Sequence, residues 1–301
     1  MKKKLFKIIG PLCMVILLSS CVNKKEAGDN KAQAEKKIFV VSSFNAMTEF
    51  AMAIGGEKID ITTIVPSGVE AHDFEPKAKD MKNMSKADLF IYNGLEMEHW
   101  ADDILKSVDN KNLVVVEASK GADLIETSKE EEHEHGQFDP HVWLSLKEAK
   151  VEANNIKEAL VKIDSSNKDY YEENYKRFEK ELDDLKDEYQ SKIQPLENKT
   201  FVTGHAAFAY LCRDFGLQQY SVEDVFAEGE PTPQKIKELV GIGKEVSLKT
   251  VFTEENVSPK VSETLAREIG AKTDTINTLE SEGNYIETMR ENLQKIYDSL
   301  N

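Results

Sequence analysis

From Ile38 onward, short runs rich in β-branched and aromatic residues alternate with segments whose apolar residues recur every three or four positions. IFVVSSF, IDITTIV, DLFIYNG and LVVVEAS read as strands in a first block; FVTGH, TVFTEEN and KTDTINT read as strands in a second. The segments between them read as single helices: one from near Asn45 to Gly55-Gly56, one through Met81 and Met84, one through Trp100, Ile104 and Leu105. Strands joined by single helices pair in parallel through right-handed crossovers. The expected fold is therefore α/β, with two lobes, each a mainly parallel sheet flanked by helices.

Between the blocks, Tyr171, Tyr175, Phe178, Leu182, Leu185, Tyr189 and Ile193 keep steps of three and four, with Lys, Glu and Asp elsewhere. A helix over 166–195 would run roughly 40 Å at 1.5 Å per residue, longer than one lobe requires. It reads as one long rigid strut; a coiled coil with a partner would want cleaner aliphatic a and d positions. The boundaries expected from this pattern are 38–165 for an N-terminal lobe, 166–195 for the linking helix and 196–301 for a C-terminal lobe.

The chain ahead of Ile38 carries a different message. Residues 1–20 combine a cationic start, MKKKLFK, with IIGPLCMVILL, and small residues then precede Cys21. That is a lipoprotein signal, since an ordinary membrane anchor would need about 20 apolar residues. Cys21 is the expected lipidation site, holding the protein on the extracytoplasmic face of the cell membrane, and 21–37 is polar enough to be a flexible tether. Cys13 leaves with the signal and Cys21 takes lipid, so only Cys212 remains and no intramolecular disulfide is available. The formal charge is −16, and the first twenty residues hold four lysines and no acid, leaving −20 on the remainder. Such a surface repels nucleic acid and concentrates cations. Nothing in the pattern demands a dimer, and a monomer is expected.

Three histidines stand in unusual surroundings: His72 in PSGVEAHDFEP, straight after a β-branched run, His141 in DPHVWL, and His205 in FVTGHAAFAY. Glu280 in TINTLES is the carboxylate expected to join them. Three imidazoles and a carboxylate from separated loops form a nitrogen and oxygen shell that Zn²⁺ accepts, whereas Ca²⁺ and Mg²⁺ prefer oxygen. Spacing alone leaves each histidine open to a structural reading; His99, beside Glu96 and Glu98, reads as structural or as support to a site. His133 and His135 in SKEEEHEHGQ are either part of a solvated charge run or a weak auxiliary metal trap. There is no HExxH pair, nucleophile elbow or glycine-rich phosphate loop.

Taken together, PSGVEAHDFEP, KADLFIYNGLEMEHW, DPHVWL, VTGHAAFAYLCRDFG and VFTEENVSPKVSETLAREIGAK resemble the zinc and manganese substrate-binding lipoproteins of ABC transporters, the cluster 9 solute-binding family, over nearly the whole mature chain and in the same order. The resemblance implies two α/β lobes bridged by one rigid helix with the metal between them, and ligand roles for His72, His141 and His205. Manganese-type members usually carry glutamate at the third position and aspartate at the fourth, so His205 favours zinc, and TINTLES is similar to zinc members that use a glutamate there. It further implies a non-enzyme that hands Zn²⁺ to an ABC permease and its ATPase. The alternatives are a manganese-binding component of the same transporter class, a zinc hydrolase with an open fourth position, and a surface adhesin whose metal is structural.

Overall fold

The structure, a computed structural model, describes residues 36–72, 74–127, 136–227, 231–254 and 259–301. Residues 36–301 pack as one compact unit. The first block forms β1 (Ile38–Ser42), α1 (Asn45–Gly55), β2 (Ile59–Thr63), α2 (Ala78–Met84), β3 (Leu89–Tyr92), α3 (Ala101–Ser107) and β4 (Val114–Glu117). Two longer helices follow, α4 (Leu146–Ile163) and α5 (Lys168–Ile193). The second block contains β5 (Thr200–Thr203), α6 (Ala209–Phe215), β6 (Gln218–Ser221), α7 (Pro233–Glu245), β7 (Thr250–Glu254), α8 (Lys260–Ile269), β8 (Lys272–Ile276) and α9 (Tyr285–Leu300).

Both sheets have four strands, all parallel, in the orders β2-β1-β3-β4 and β6-β5-β7-β8. The order reverses between β1 and β3 in one sheet and between β5 and β7 in the other. In open parallel sheets a crevice forms outside the carboxyl ends of the strands at that reversal, and ligands gather there. β6 was not expected: QYS lacks an apolar run, and its first three residues are only partly covered at the sheet edge.

The linking helix is confirmed at 26 residues, about 39 Å by its rise. Its predicted stripe is buried except for Tyr175, which is half-covered. One continuous core includes β1, β3, α1, α4, this stripe, α9 and the inner residues Phe201, Phe208, Phe215 and Phe252 of the second block. A smaller core of Val202, Leu239, Val251 and Leu265 lies under α7 and α8. Because the strut contributes side chains to a core shared by both sheets, it is packed along its length rather than bridging solvent.

Three helix starts can be read from the sequence, Ser145 with Glu148 as a capping box and Thr232-Pro233 and Ser258-Pro259 each as a cap with a first-turn proline, and the outcomes differ. Thr232 caps α7 through Lys235 N, with Pro233 in the first turn. Ser145 caps α4 by accepting from Glu148 N, but the expected capping box is only half present. The Glu148 carboxylate turns away to accept from Asp123 N and Arg213 Nη2. Pro259 is the cap residue of α8 rather than its first-turn proline, and Ser258 lies outside the described residues. Cys212 is a free, buried thiol on α6.

Candidate metal centre

The four residues singled out in the sequence come together. His72 lies on the long β2–α2 connection, His205 two residues past β5 and Glu280 four past β8. His141 is the exception to strand-end placement; it precedes a 3-10 turn (Val142–Leu144) shortly after an isolated bridge between Glu126 and Phe138. Each offers one ligand atom, and the four atoms lie within 4.8 Å of one another. All are at least nine-tenths buried, with exposures of 9% for His72, 0% for His141 and 1% for His205 and Glu280.

The nitrogen geometry is informative. His141 Nε2 lies 3.3 Å from both His72 Nε2 and His205 Nε2. A tetrahedral ion with metal–nitrogen bonds of 2.0–2.1 Å separates its ligands by about 3.3–3.4 Å, so the observed spacing matches that edge. Neither oxygen of Glu280 meets a hydrogen-bond donor in bonding geometry, which leaves a buried carboxyl short of partners. Donor chemistry, spacing and the orphaned acid all fit a four-coordinate soft or borderline cation.

Two carboxylates that the sequence reading did not assign to the site set the rings. Asp139 Oδ1 accepts from both His141 N (2.9 Å) and His141 Nδ1 (2.8 Å). Glu254, the last residue of β7, accepts from His205 N at 3.1 Å and from His205 Nδ1. With Nδ1–H donated outward, each Nε2 is directed into the cluster, the usual support for a metal-binding imidazole. The signal for Glu254 was its position at the carboxyl end of a strand beside β5, across the reversal of strand order. For Asp139 it was the DxH spacing, which equally reads as an Asp-Pro turn.

The same partners set the charge states. Burial would depress His205, but the Glu254 carboxylate outweighs it and lifts the ring to about 9. Burial, with the charge on His205, holds His141 well below the ordinary histidine range. Burial, then the neighbouring Glu70, push Glu280 well above the usual carboxyl range. Glu70 also acts electrostatically on His205, Glu223 is raised by burial against the pull of His205, and the Phe226 ring stands 5.7 Å from His72.

Although Glu280 belongs to the second block, its loop is tied largely to the first. Asn45 N donates to Glu280 O and Asn45 Nδ2 to Gly283 O; Gly68 N donates to Ser281 Oγ and Trp143 Nε1 to Thr278 O. Leu279, just ahead of Glu280, takes a left-handed φ of 65° and donates to Asn277 Oδ1.

The remaining candidates stand apart. His99 is at the surface, 3.4 Å from Glu75 Oε1, away from the cluster. His133, His135 and Cys21 lie outside the described residues, as does the whole of 1–35. Among the described residues no helix is long and apolar enough to cross a membrane.

Two like parallel sheets on a shared long helix, with a buried nitrogen and carboxylate cluster at their strand ends, define a two-lobed α/β solute-binding protein. The chain belongs to the family described as zinc-uptake complex component A, periplasmic, whose model matches residues 40–299. It is 42% identical over 273 residues to a putative metal-binding protein of Treponema pallidum, covering 87% of this chain and 86% of that one. It is 40% identical over 302 residues to the high-affinity zinc uptake system protein ZnuA of Bacillus subtilis, covering 95% and 94%. Among solved structures, the laminin-binding protein of Streptococcus agalactiae, described as having adhesin and metal-transporting activity, superposes with a TM-score of 0.81 at 36% identity, covering 88% of this chain and all of that one.

Proposed function

We propose that this chain is the extracytoplasmic zinc-binding component of an ABC importer, with zinc held by His72, His141, His205 and Glu280. The observation that carries the ligand set is the convergence of three Nε2 atoms at the spacing of a tetrahedral edge, with a buried, unsatisfied carboxylate beside them. Zinc here is cargo. It is captured between a lobe of residues 38–165 and one of 196–301, linked by 166–195, and passed as an ion to a membrane permease driven by its ATPase. Lipid on Cys21 and the polar tether keep this monomeric carrier at the membrane. The family membership and the printed role of the Bacillus relative support the zinc assignment.

In this reading Glu280 closes the coordination shell, so no metal-bound water is activated and the chain is not an enzyme. Competition calorimetry with zinc and manganese on wild type, His205→Ala and Glu280→Ala tests it. Tight one-to-one zinc binding, weaker manganese binding and a loss in both variants is the expected result. Full zinc affinity in Glu280→Ala would break the ligand set and bring back the open-site hydrolase; manganese binding as tight as zinc would favour the manganese carrier.

A further inference from the structure

The C-terminal sheet holds its histidine at the reversal of strand order, with Glu254 on one strand gripping His205 beyond the next. The N-terminal sheet has a counterpart at its own reversal, made of residues with no part in the cluster. Asn93 follows β3 and is fully buried. Its Nδ2 donates to Gly94 O and, across 47 residues of chain, to Pro140 O, both at 2.9 Å. Pro140 O also accepts from Val142 N at 2.8 Å. The carbonyl of the peptide that leads into His141 is thereby held from two sides, while Asp139 holds the ring.

Asn93 is itself built into place. Its backbone carbonyl accepts from Ser119 Oγ at 2.6 Å and Ser119 N at 3.2 Å. The next three residues, Gly94, Leu95 and Glu96, all have left-handed φ, at 92°, 58° and 63°. Such a conformation disfavours each non-glycine residue by about 1–2 kcal/mol, so something must impose it. The buried Glu98 carboxylate spans the turn, Oε1 accepting from Asn93 N and Oε2 from Gly94 N, each at 2.9 Å. A side chain at Gly94 would meet Glu117 Cγ at 2.7 Å.

We propose that Asn93 is a positioning residue for the metal centre, held by Glu98, and that it acts by fixing the Pro140 carbonyl and hence the place of His141. The proposal rests on the reading of His141 as a zinc ligand. Asn93→Asp replaces the donor with an acceptor aimed at two carbonyls at nearly constant volume. Glu98→Gln leaves one acceptor and turns an amide donor toward one of the two N–H groups.

The test compares the full chain with Asn93→Asp, Glu98→Gln and His141→Ala. The measurements are zinc affinity by chelator competition, the visible absorption of bound Co²⁺ and thermal unfolding without metal. In Asn93→Asp we expect zinc affinity to fall tenfold or more, in the range seen for outer partners of metal ligands, with altered Co²⁺ bands; Glu98→Gln should shift both in the same direction by less. Affinity within twofold of wild type and an unchanged Co²⁺ spectrum in Asn93→Asp would overturn the proposal, even if the melting temperature dropped, because that is a purely structural role. If Asn93→Asp does not fold, the same two results in Glu98→Gln overturn it. Full affinity in His141→Ala would instead remove the ligand reading; loss in His141→Ala without loss in Asn93→Asp would remove only the relay.

Discussion

His205 shows how one side chain acquires its behaviour from a partner far along the chain. Alone it would titrate near 6.5; burial lowers it further, and Glu254 reverses the sign and carries it to about 9. At neutral pH the metal-free ring is therefore a cation, and in the proposed site zinc would replace the proton at Nε2, so binding should release a proton. Replacing Glu254 by Gln should let the His205 pKa, followed by NMR, fall back through the neutral range. It should also weaken zinc binding about 10- to 100-fold, since the imidazole loses its orienting acceptor. A ring still titrating near 9 in Glu254→Gln would mean that another charge sustains it. The three histidines were legible as residues in odd surroundings, and Glu280 through the resemblance of TINTLES to zinc-type members of the family. Asp139 and Glu254 were not, because a carboxylate beside a turn or at a strand end has no local mark of the ring it will meet.

At the scale of elements, the loop between β8 and α9 is the informative piece. Sequence order assigns it to the second block, yet α9 packs against α1 and α5 in the main core. The Glu49 carboxylate of α1 accepts from Tyr285 N and Asn284 Nδ2, both at 3.1 Å, at the first turn of α9. Tyr285 Oη reaches Trp143 O at 2.5 Å. A carboxylate at a helix start satisfies donors left open by the first turn and suits the helix dipole. We expect Glu49→Ala to lower zinc affinity several-fold through Glu280. In a Glu280→Ala background the same substitution should add almost nothing, and a double-mutant cycle measures the difference. Additive losses would detach Glu49 from the site. The strut was readable from periodicity alone because its stripe repeats along nearly the whole of a 26-residue helix. β6 was missed because edge strands need less apolar surface, and half of the α4 capping box failed because Arg213 and Asp123 offered Glu148 better partners.

For the molecule as a whole, buried ionisable groups give the empty and loaded forms different pH responses. Glu152, fully buried on α4, has neither oxygen hydrogen-bonded, and burial, then Glu98, push it well above the carboxyl range. Glu280 behaves likewise, and His205 stays protonated to about 9. Between pH 6.5 and 9 the unfolded chain has lost the His205 proton while the native metal-free protein keeps it, so the native state binds more protons and stability falls as pH rises; the raised carboxyls act in the same direction above the ordinary carboxyl range. In the proposed site zinc takes the place of the His205 proton, so the stabilisation it adds should grow over the same interval. Thermal unfolding across this range, with and without zinc, should show the two trends diverging; parallel curves would contradict the proton displacement. The −20 charge beyond the first twenty residues adds a long-range attraction for the cation, which salt screens.

The sequence by itself determined the two parallel-sheet blocks, the strut between them and three histidines in unusual surroundings, to which the resemblance of TINTLES added Glu280. Periodicity and strand alternation are properties of neighbours in the chain, and odd histidines are visible wherever they stand. Only the tertiary structure decided that four residues spread from 72 to 280 face one another within 4.8 Å, which carboxylates aim their rings, and that the Glu280 loop is fastened to the opposite block. Those outcomes depend on hydrogen bonds between residues separated by tens to hundreds of positions, whose partners are chosen by how the sheets and helices pack.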